Sequence, residues 1–125
     1  MKPRDLTSKI SKIELLGKVE TVEIDRPLGF IHKNKIEYMI NYGFIPGTVA
    51  EDNEESDVYI IGYDHVLSMK ERVQVKIIAV VERYEGDIET KFVGKMLDDK
   101  NIYSSREIEN AIKFQEKYHK HRLYL

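Results

Sequence analysis

Two hydrophobic periods divide the chain. Between residues 5 and 16, Leu6, Ile10 and Ile13 recur at helical spacing and Gly17 offers a stop, which predicts a short helix, with a strand as the competing reading. From Lys18 the period drops to two. Val22, Ile24 and Arg26 share one face of a predicted strand, Thr21, Glu23 and Asp25 share the other, and Pro27-Leu28-Gly29 ends it. Residues 37–45 alternate again: Tyr38, Ile40, Tyr42 and Phe44 on one side, Met39, Asn41 and Ile45 on the other, Gly43 between, then a turn at Pro46-Gly47. Val58-Tyr59-Ile60-Ile61 reads as a strand. Residues 73–84 and 88–94 read as a hairpin about Gly86-Asp87. Ser104-Ser105-Arg106-Glu107 has the pattern of a capping box, and the helix behind it is expected to bury Ile108, Ala111, Ile112 and either Gln115 or Tyr118. Several strands followed by one helix predict a mainly β fold with α, a small β-barrel or curled sheet with the C-terminal helix packed on it.

Composition narrows this picture. A length of 125 residues and a hydrophobic fraction of 42% suit one modest core, so residues 1–125 are expected to form a single domain whose first 17 residues are a helical extension. A formal net charge of -2, with 34% charged residues of both signs, is not that of a general nucleic-acid binder. Cysteine is absent, so any metal must be held by carboxylates or histidines. No apolar run of signal-peptide length follows Met1-Lys2-Pro3-Arg4-Asp5, and Ile77-Ile78-Ala79-Val80-Val81 is too short to cross a bilayer. The expectation is a cytoplasmic protein with neither a nucleic-acid nor a membrane partner.

Three features carry candidate chemistry. Glu51, Asp52, Glu54, Glu55 and Asp57 place five carboxylates within seven residues, a crowding that needs solvent or a cation to screen it. The bland reading is a solvated acidic loop. Its spacing does not match an EF-hand loop, which needs a central glycine and a distal glutamate. Glu89 and Lys91 share a strand face, where a carboxylate and an ammonium can address a cation and a phosphate together; the alternative is an ordinary exposed face. Arg26 stands where a strand ends, where a guanidinium can grip a phosphate bidentately, and Tyr42 and Tyr118 can donate phenolic hydroxyls. For the tyrosines, packing at a barrel mouth competes with that role. His32, His65, His119 and His121 do not form a helical metal pair. No glycine-rich phosphate loop and no nucleophile elbow is present.

In order along the chain, these segments resemble the soluble, family I inorganic pyrophosphatases. Ile24-Asp25-Arg26-Pro27 resembles that family's strand with a phosphate-binding arginine. Asn41-Tyr42-Gly43-Phe44-Ile45 resembles its Asn-Tyr-Gly-Tyr-Ile segment, and the spacing to Asp52 and Asp57 suits its acidic signature, Asp-Gly-Asp-Pro-x-Asp. Glu85, Glu89 and Lys91 resemble a later acidic pair and its lysine, and Phe114 to His119 resembles a helical segment with a tyrosine before a lysine. The likeness is greatest to short bacterial members with an acidic Glu-Glu-x-Asp variant of the signature. Asn53, Glu54 and Glu55 depart from the signature's glycine, aspartate and proline, and His119 stands where a lysine is usual. Lys12 and Glu14 have the spacing of an early Lys-x-Glu pair, within a segment that otherwise does not match.

The resemblance implies a five-stranded barrel of the OB type with helices outside. It implies hydrolysis of pyrophosphate to two phosphates with two or more Mg2+ ions, Mn2+ being an alternative. Asp52, Asp57, Glu85 and Glu89 would hold metal, Glu54 would assist the attacking water, and Arg26, Tyr42, Lys91 and Tyr118 would bind phosphate. A homo-oligomer is expected. The rival readings are hydrolysis of another organic or nucleoside diphosphate, and a barrel that binds or senses a ligand without turnover.

Overall fold

A computed structural model describes residues 2–125. The chain begins with a short strand β1 (Arg4–Asp5) and a short helix α1 (Lys9–Ile13). Strands β2 (Val19–Arg26), β3 (Asn41–Ile45), β4 (Thr48–Val49), β5 (Ser56–Ile61), β6 (Arg72–Arg83) and β7 (Glu89–Met96) follow, then helix α2 (Ser105–Glu116) and strand β8 (His121–Tyr124). Strand β2 pairs antiparallel with both β3 and β6, so the order β2-β3-β5-β7-β6 closes on itself as a five-stranded barrel. The β5–β7 pair is parallel and the rest of the ring antiparallel. Closure leaves β2 and β7 no open edge. Strand β8 extends the long β6 beyond the ring, and β1 pairs with β4.

Alternation along each strand separates two apolar clusters. Val22, Ile24, Ile45, Val58, Ile60, Val75, Ile77, Val80 and Phe92 fill the barrel. Tyr42, Tyr59, Ile61, Ala79, Val81 and Val93 point outward and are covered by Ile108 and Ile112 of α2. Each such aliphatic side chain contributes about 1.5–3 kcal/mol on full burial. Gly43 sits where β3 crosses β2: a Cβ there would lie 2.0 Å from the Glu23 carbonyl oxygen, so any side chain would force the strands apart.

Helix α2 has the expected capping box: the Ser104 hydroxyl accepts from the Glu107 amide and the Glu107 carboxylate accepts from the Ser104 amide. Ile108 and Ile112 are buried and Ala111 partly so, and the third buried position is Glu116 rather than Gln115 or Tyr118, because Arg83 meets it from β6. The N-terminal helix also differs from its pattern. Ile10 and Ile13 are exposed, whereas Leu6, Lys12 and Leu15 are buried. Lys12 is drawn inward because its ammonium pairs with Glu51, which also accepts from the Thr90 hydroxyl. In β2 a bulge falls between Ile24 and Arg26, so Arg26 does not share the inward face of Val22 and Ile24. Residues 37–40 precede the strand rather than extending it.

Candidate functional site

The residues that could do chemistry gather where β2, β3, β5 and β7 run side by side on the outer, α2-facing wall. The parallel register sets Asp57 opposite Lys91, and the antiparallel register sets Tyr42 opposite both Tyr59 and Arg26. The Lys91 side chain is buried, and its ammonium donates to the Tyr42 hydroxyl at 2.7 Å and to Asp57 Oδ2 at 2.9 Å. Glu89 Oε1 lies 3.4 Å from the same nitrogen. The Arg26 guanidinium donates to the Tyr38 hydroxyl and lies 5.5 Å from the Tyr42 ring centre. Burial, and then the neighbouring Asp57 carboxylate, hold the Tyr42 phenol well above its ordinary pKa, so it stays a neutral hydroxyl.

Beside this cluster opens a cleft of about 450 Å³ lined by Asp25, Phe44, Thr48, Val49, Asn53, Glu54, Glu55 and Asp57. The bulge in β2 brings Asp25 to its wall. Asp25 Oδ1 is buried without a hydrogen-bond partner. Burial, and then the charge of Asp57, raise the Asp25 pKa from 3.8 to about 6, against the opposing pull of Arg26. The sequence carried Asp25 beside Arg26 but no signal of this role, since strict alternation placed it on the opposite face.

The acidic loop closes the cleft on one side. Asp52 to Glu55 are exposed, as a solvated loop would be. Asn53 adopts φ +65°, and Asp52 Oδ1 accepts from the Glu54 amide at 3.0 Å, so asparagine keeps the left-handed turn that glycine would provide. Glu55 accepts from the Gly47 amide. Glu54 therefore reaches the cleft from a turn built by its neighbours.

The expected groups are thus placed unevenly. Arg26, Tyr42, Asp57, Glu89 and Lys91 form one contact network, and Glu54 lines the adjoining cleft. Asp52 shapes the turn. Glu85 pairs with His119 at 2.8 Å, and Tyr118 is 60% exposed at the end of α2 beside Lys117. Sequence reasoning missed Asp25, Tyr38 and the buried Arg83–Glu116 pair. Only the Glu116 position carried a signal, its place four residues beyond Ile112 and eight beyond Ile108 on one face of α2.

Among the described residues, no three acidic or histidine side chains converge as a preformed cage for an ion. The donor set nonetheless fits magnesium, which retains water ligands and uses one or two carboxylates together with substrate phosphates. The orphaned Asp25 oxygen beside Asp57 is a like-charge contact that a cation would relieve.

A closed five-stranded mixed barrel with an outer helix and a carboxylate-lined cleft defines the class: a small β-barrel protein with an acidic cleft and a lysine, an arginine and phenols beside it. Residues 7–122 match the family model described as inorganic pyrophosphatase, and the chain belongs to that family. The chain is similar to the inorganic pyrophosphatase of Neisseria meningitidis, 30% identical over 91 residues that cover 68% of this chain and 51% of that protein. It is 30% identical over 91 residues to soluble inorganic pyrophosphatase 1 of Arabidopsis thaliana, covering 70% and 40% respectively. The chain therefore spans about half the length, or less, of these relatives. Its fold is shared with the crystal structure of an inorganic pyrophosphatase from Neisseria gonorrhoeae (TM-score 0.66, 23% identity, 82% of this chain and 74% of that one). The Thermus thermophilus inorganic pyrophosphatase shares it too (TM-score 0.62, 20% identity, 86% and 81%). Among the described residues no helix is long and apolar enough to cross a membrane.

Proposed function

We propose that the chain hydrolyses inorganic pyrophosphate to two phosphates in a reaction requiring a divalent metal, magnesium first and manganese as substitute. The observation that carries this reading is the buried Lys91 ammonium, held between Asp57 and Tyr42 at the edge of a carboxylate-lined cleft. Family membership supports the choice of pyrophosphate as substrate. A compact polyanion needs fixed cations and donors on one side and shielded carboxylates on the other.

Asp57, with Asp25, would hold metal on the cleft side, and the resemblance adds Asp52 and Glu89, which stand outside the cleft lining. The metal supplies charge neutralisation and eases ionisation of the attacking water. Arg26 and Lys91 would grip phosphate oxygens, Lys91 as a point charge and Arg26 through its fork. The neutral Tyr42 hydroxyl would orient the same group. Glu54 would accept the proton of the attacking water, from an arm one methylene longer than the family's aspartate. The roles of Glu85 and Tyr118 rest on the resemblance alone. A cytoplasmic location and a homo-oligomeric state belong to the same proposal on family grounds.

Release of phosphate from pyrophosphate by purified protein, with and without magnesium, tests this reading. Magnesium-dependent release is expected. No release at any magnesium concentration would overturn it.

A further inference from the structure

The cleft wall that carries Glu54 is held by the first residues of the chain. Thr48, Val49, Asn53, Glu54 and Glu55 line the cleft, and all lie in the segment between β3 and β5. Strand β1 pairs with β4, and the Arg4 and Leu6 amides donate to the Gly47 and Val49 carbonyls at 2.7 and 2.9 Å. A tight turn follows: the Ala50 amide donates to the Glu54 carbonyl at 2.7 Å and the Asn53 amide to the Ala50 carbonyl at 3.0 Å. Glu51 belongs to that turn, yet it does not line the cleft. One of its carboxylate oxygens accepts from the Lys12 ammonium and from the Thr90 hydroxyl, and the other is buried without a partner. Lys12 is buried and also lies outside the cleft lining. A buried pair adds little stability over apolar residues of similar shape, and an unpaired buried oxygen subtracts from it, so stability alone does not account for this contact.

We propose that Lys12 is a positioning residue: through Glu51 it fixes the turn of residues 50–54 and so holds Glu54 at the cleft wall. The inference rests on the pyrophosphate-hydrolysing reading given above. Glu51 and Glu54 share one hydrogen-bonded turn, so pinning the first places the backbone of the second. Thr90 ties Glu51 to the barrel, and Lys12 ties it to α1, which is itself seated by the buried Leu6 and Leu15 that flank it in the chain. Glu54 is exposed and has no packing of its own to place it, so its aim depends on the turn. A misplacement of about 1 Å can cost about 10²-fold in rate. Lys12 and Glu51 thus act without touching the substrate.

The test compares wild type with the double variant Lys12→Met/Glu51→Gln, Glu51→Asp, Glu54→Gln, and the double variant combined with Glu54→Gln. kcat and KM for magnesium pyrophosphate are read alongside melting temperature and amide hydrogen exchange by NMR. The double variant removes both charges together and keeps an acceptor for Thr90, so it is expected to melt near wild type. Its kcat should nevertheless fall about tenfold or more with KM nearly unchanged. The Asn53 and Glu54 amides should exchange faster, while those of β5 and β7 keep their protection. Glu51→Asp retains both charges on an arm one methylene shorter; it should fold and also lower kcat, which keeps the test decisive if the double variant does not fold. Adding the double variant to Glu54→Gln should cause no further loss, because Lys12 acts through Glu54. Wild-type kcat in the double variant or in Glu51→Asp, a change in KM alone, or full additivity with Glu54→Gln overturns the positioning role alone. A wild-type protein that releases no phosphate from pyrophosphate overturns the functional reading and this inference with it.

Discussion

Lys91 and Asp57 face each other across the parallel β5–β7 pair, Nζ 2.9 Å from Oδ2, with the lysine stem buried and the carboxylate half-exposed. The register of two strands thus fixes a cation at the edge of the cleft, and Tyr42 takes a second of its protons. An ammonium held in this way loses little freedom when a phosphate arrives, which is the preorganisation that transition-state stabilisation requires.

Replacing Lys91 by methionine keeps most of the volume and removes the charge. Steady-state kinetics should show kcat/KM for magnesium pyrophosphate falling by about 100-fold or more, as for loss of a preorganised donor. Activity equal to wild type would remove Lys91 from the site.

Magnesium should stabilise the fold. At a free concentration of 100 times Kd, a ligand specific to the native state adds about 2.7 kcal/mol, roughly 10 °C in melting temperature for a chain of this size. Differential scanning fluorimetry across millimolar magnesium should show the rise in wild type and a much smaller one in Asp57→Asn. A flat response in wild type would count against a metal at this cleft.

Glu54→Gln keeps size and removes the base. We expect kcat to fall by about 10²–10⁴-fold with the melting temperature unchanged, since Glu54 is exposed and its side chain supports no other group. An active Glu54→Gln enzyme would reassign the water-positioning role.

The pH dependence of stability should carry the signature of Asp25. Its folded pKa of about 6 lies above the ordinary 3.8, so between those values the folded state binds more protons than the unfolded one. Stability from this group is present below pH 3.8 and is lost as pH rises through 6. Without metal, Asp25→Asn should melt higher than wild type at pH 7.5 and equal to it near pH 4, a convergence that thermal melts across pH will reveal. Glu116 acts in the opposite sense. Burial pushes its carboxyl up, but the Arg83 and Tyr59 hydrogen bonds outweigh that and leave it below the ordinary value. Its contribution is present above the unfolded pKa and is lost as pH falls through the folded one.

Lys12→Ala would leave Glu51 facing Thr90 without its cation, with its other oxygen already buried and unpaired. Breaking a buried pair by removing one partner costs about 3–5 kcal/mol, and the partial exposure of Glu51 places the expectation near the low end. Urea denaturation measures it.

The sequence by itself determined the elements whose signals are local. The alternation in β2, β5, β6 and β7, the hairpin turn and the Ser104 capping box each depend on neighbours within a few residues, and the predicted barrel with an outer helix follows from their order. Glu89 and Lys91 were legible as a pair because one strand face recurs every second residue, Asp57 by the crowding of carboxylates before it, Arg26 by its place at a strand end, and Tyr42 by the segment that carries the family resemblance. What depends on contacts between distant segments was decided only by the tertiary structure. The bulge that turns Asp25 to the cleft arises from the register between β2 and β3. Lys12 is buried against Glu51 across 39 positions, so apolar spacing in α1 pointed to Ile10 and Ile13 and missed it. Glu116 is buried because a guanidinium 33 residues away neutralises it, and a charge is accepted inside a fold only when such a partner meets it, a condition that no local pattern of hydrophobic and polar residues can express.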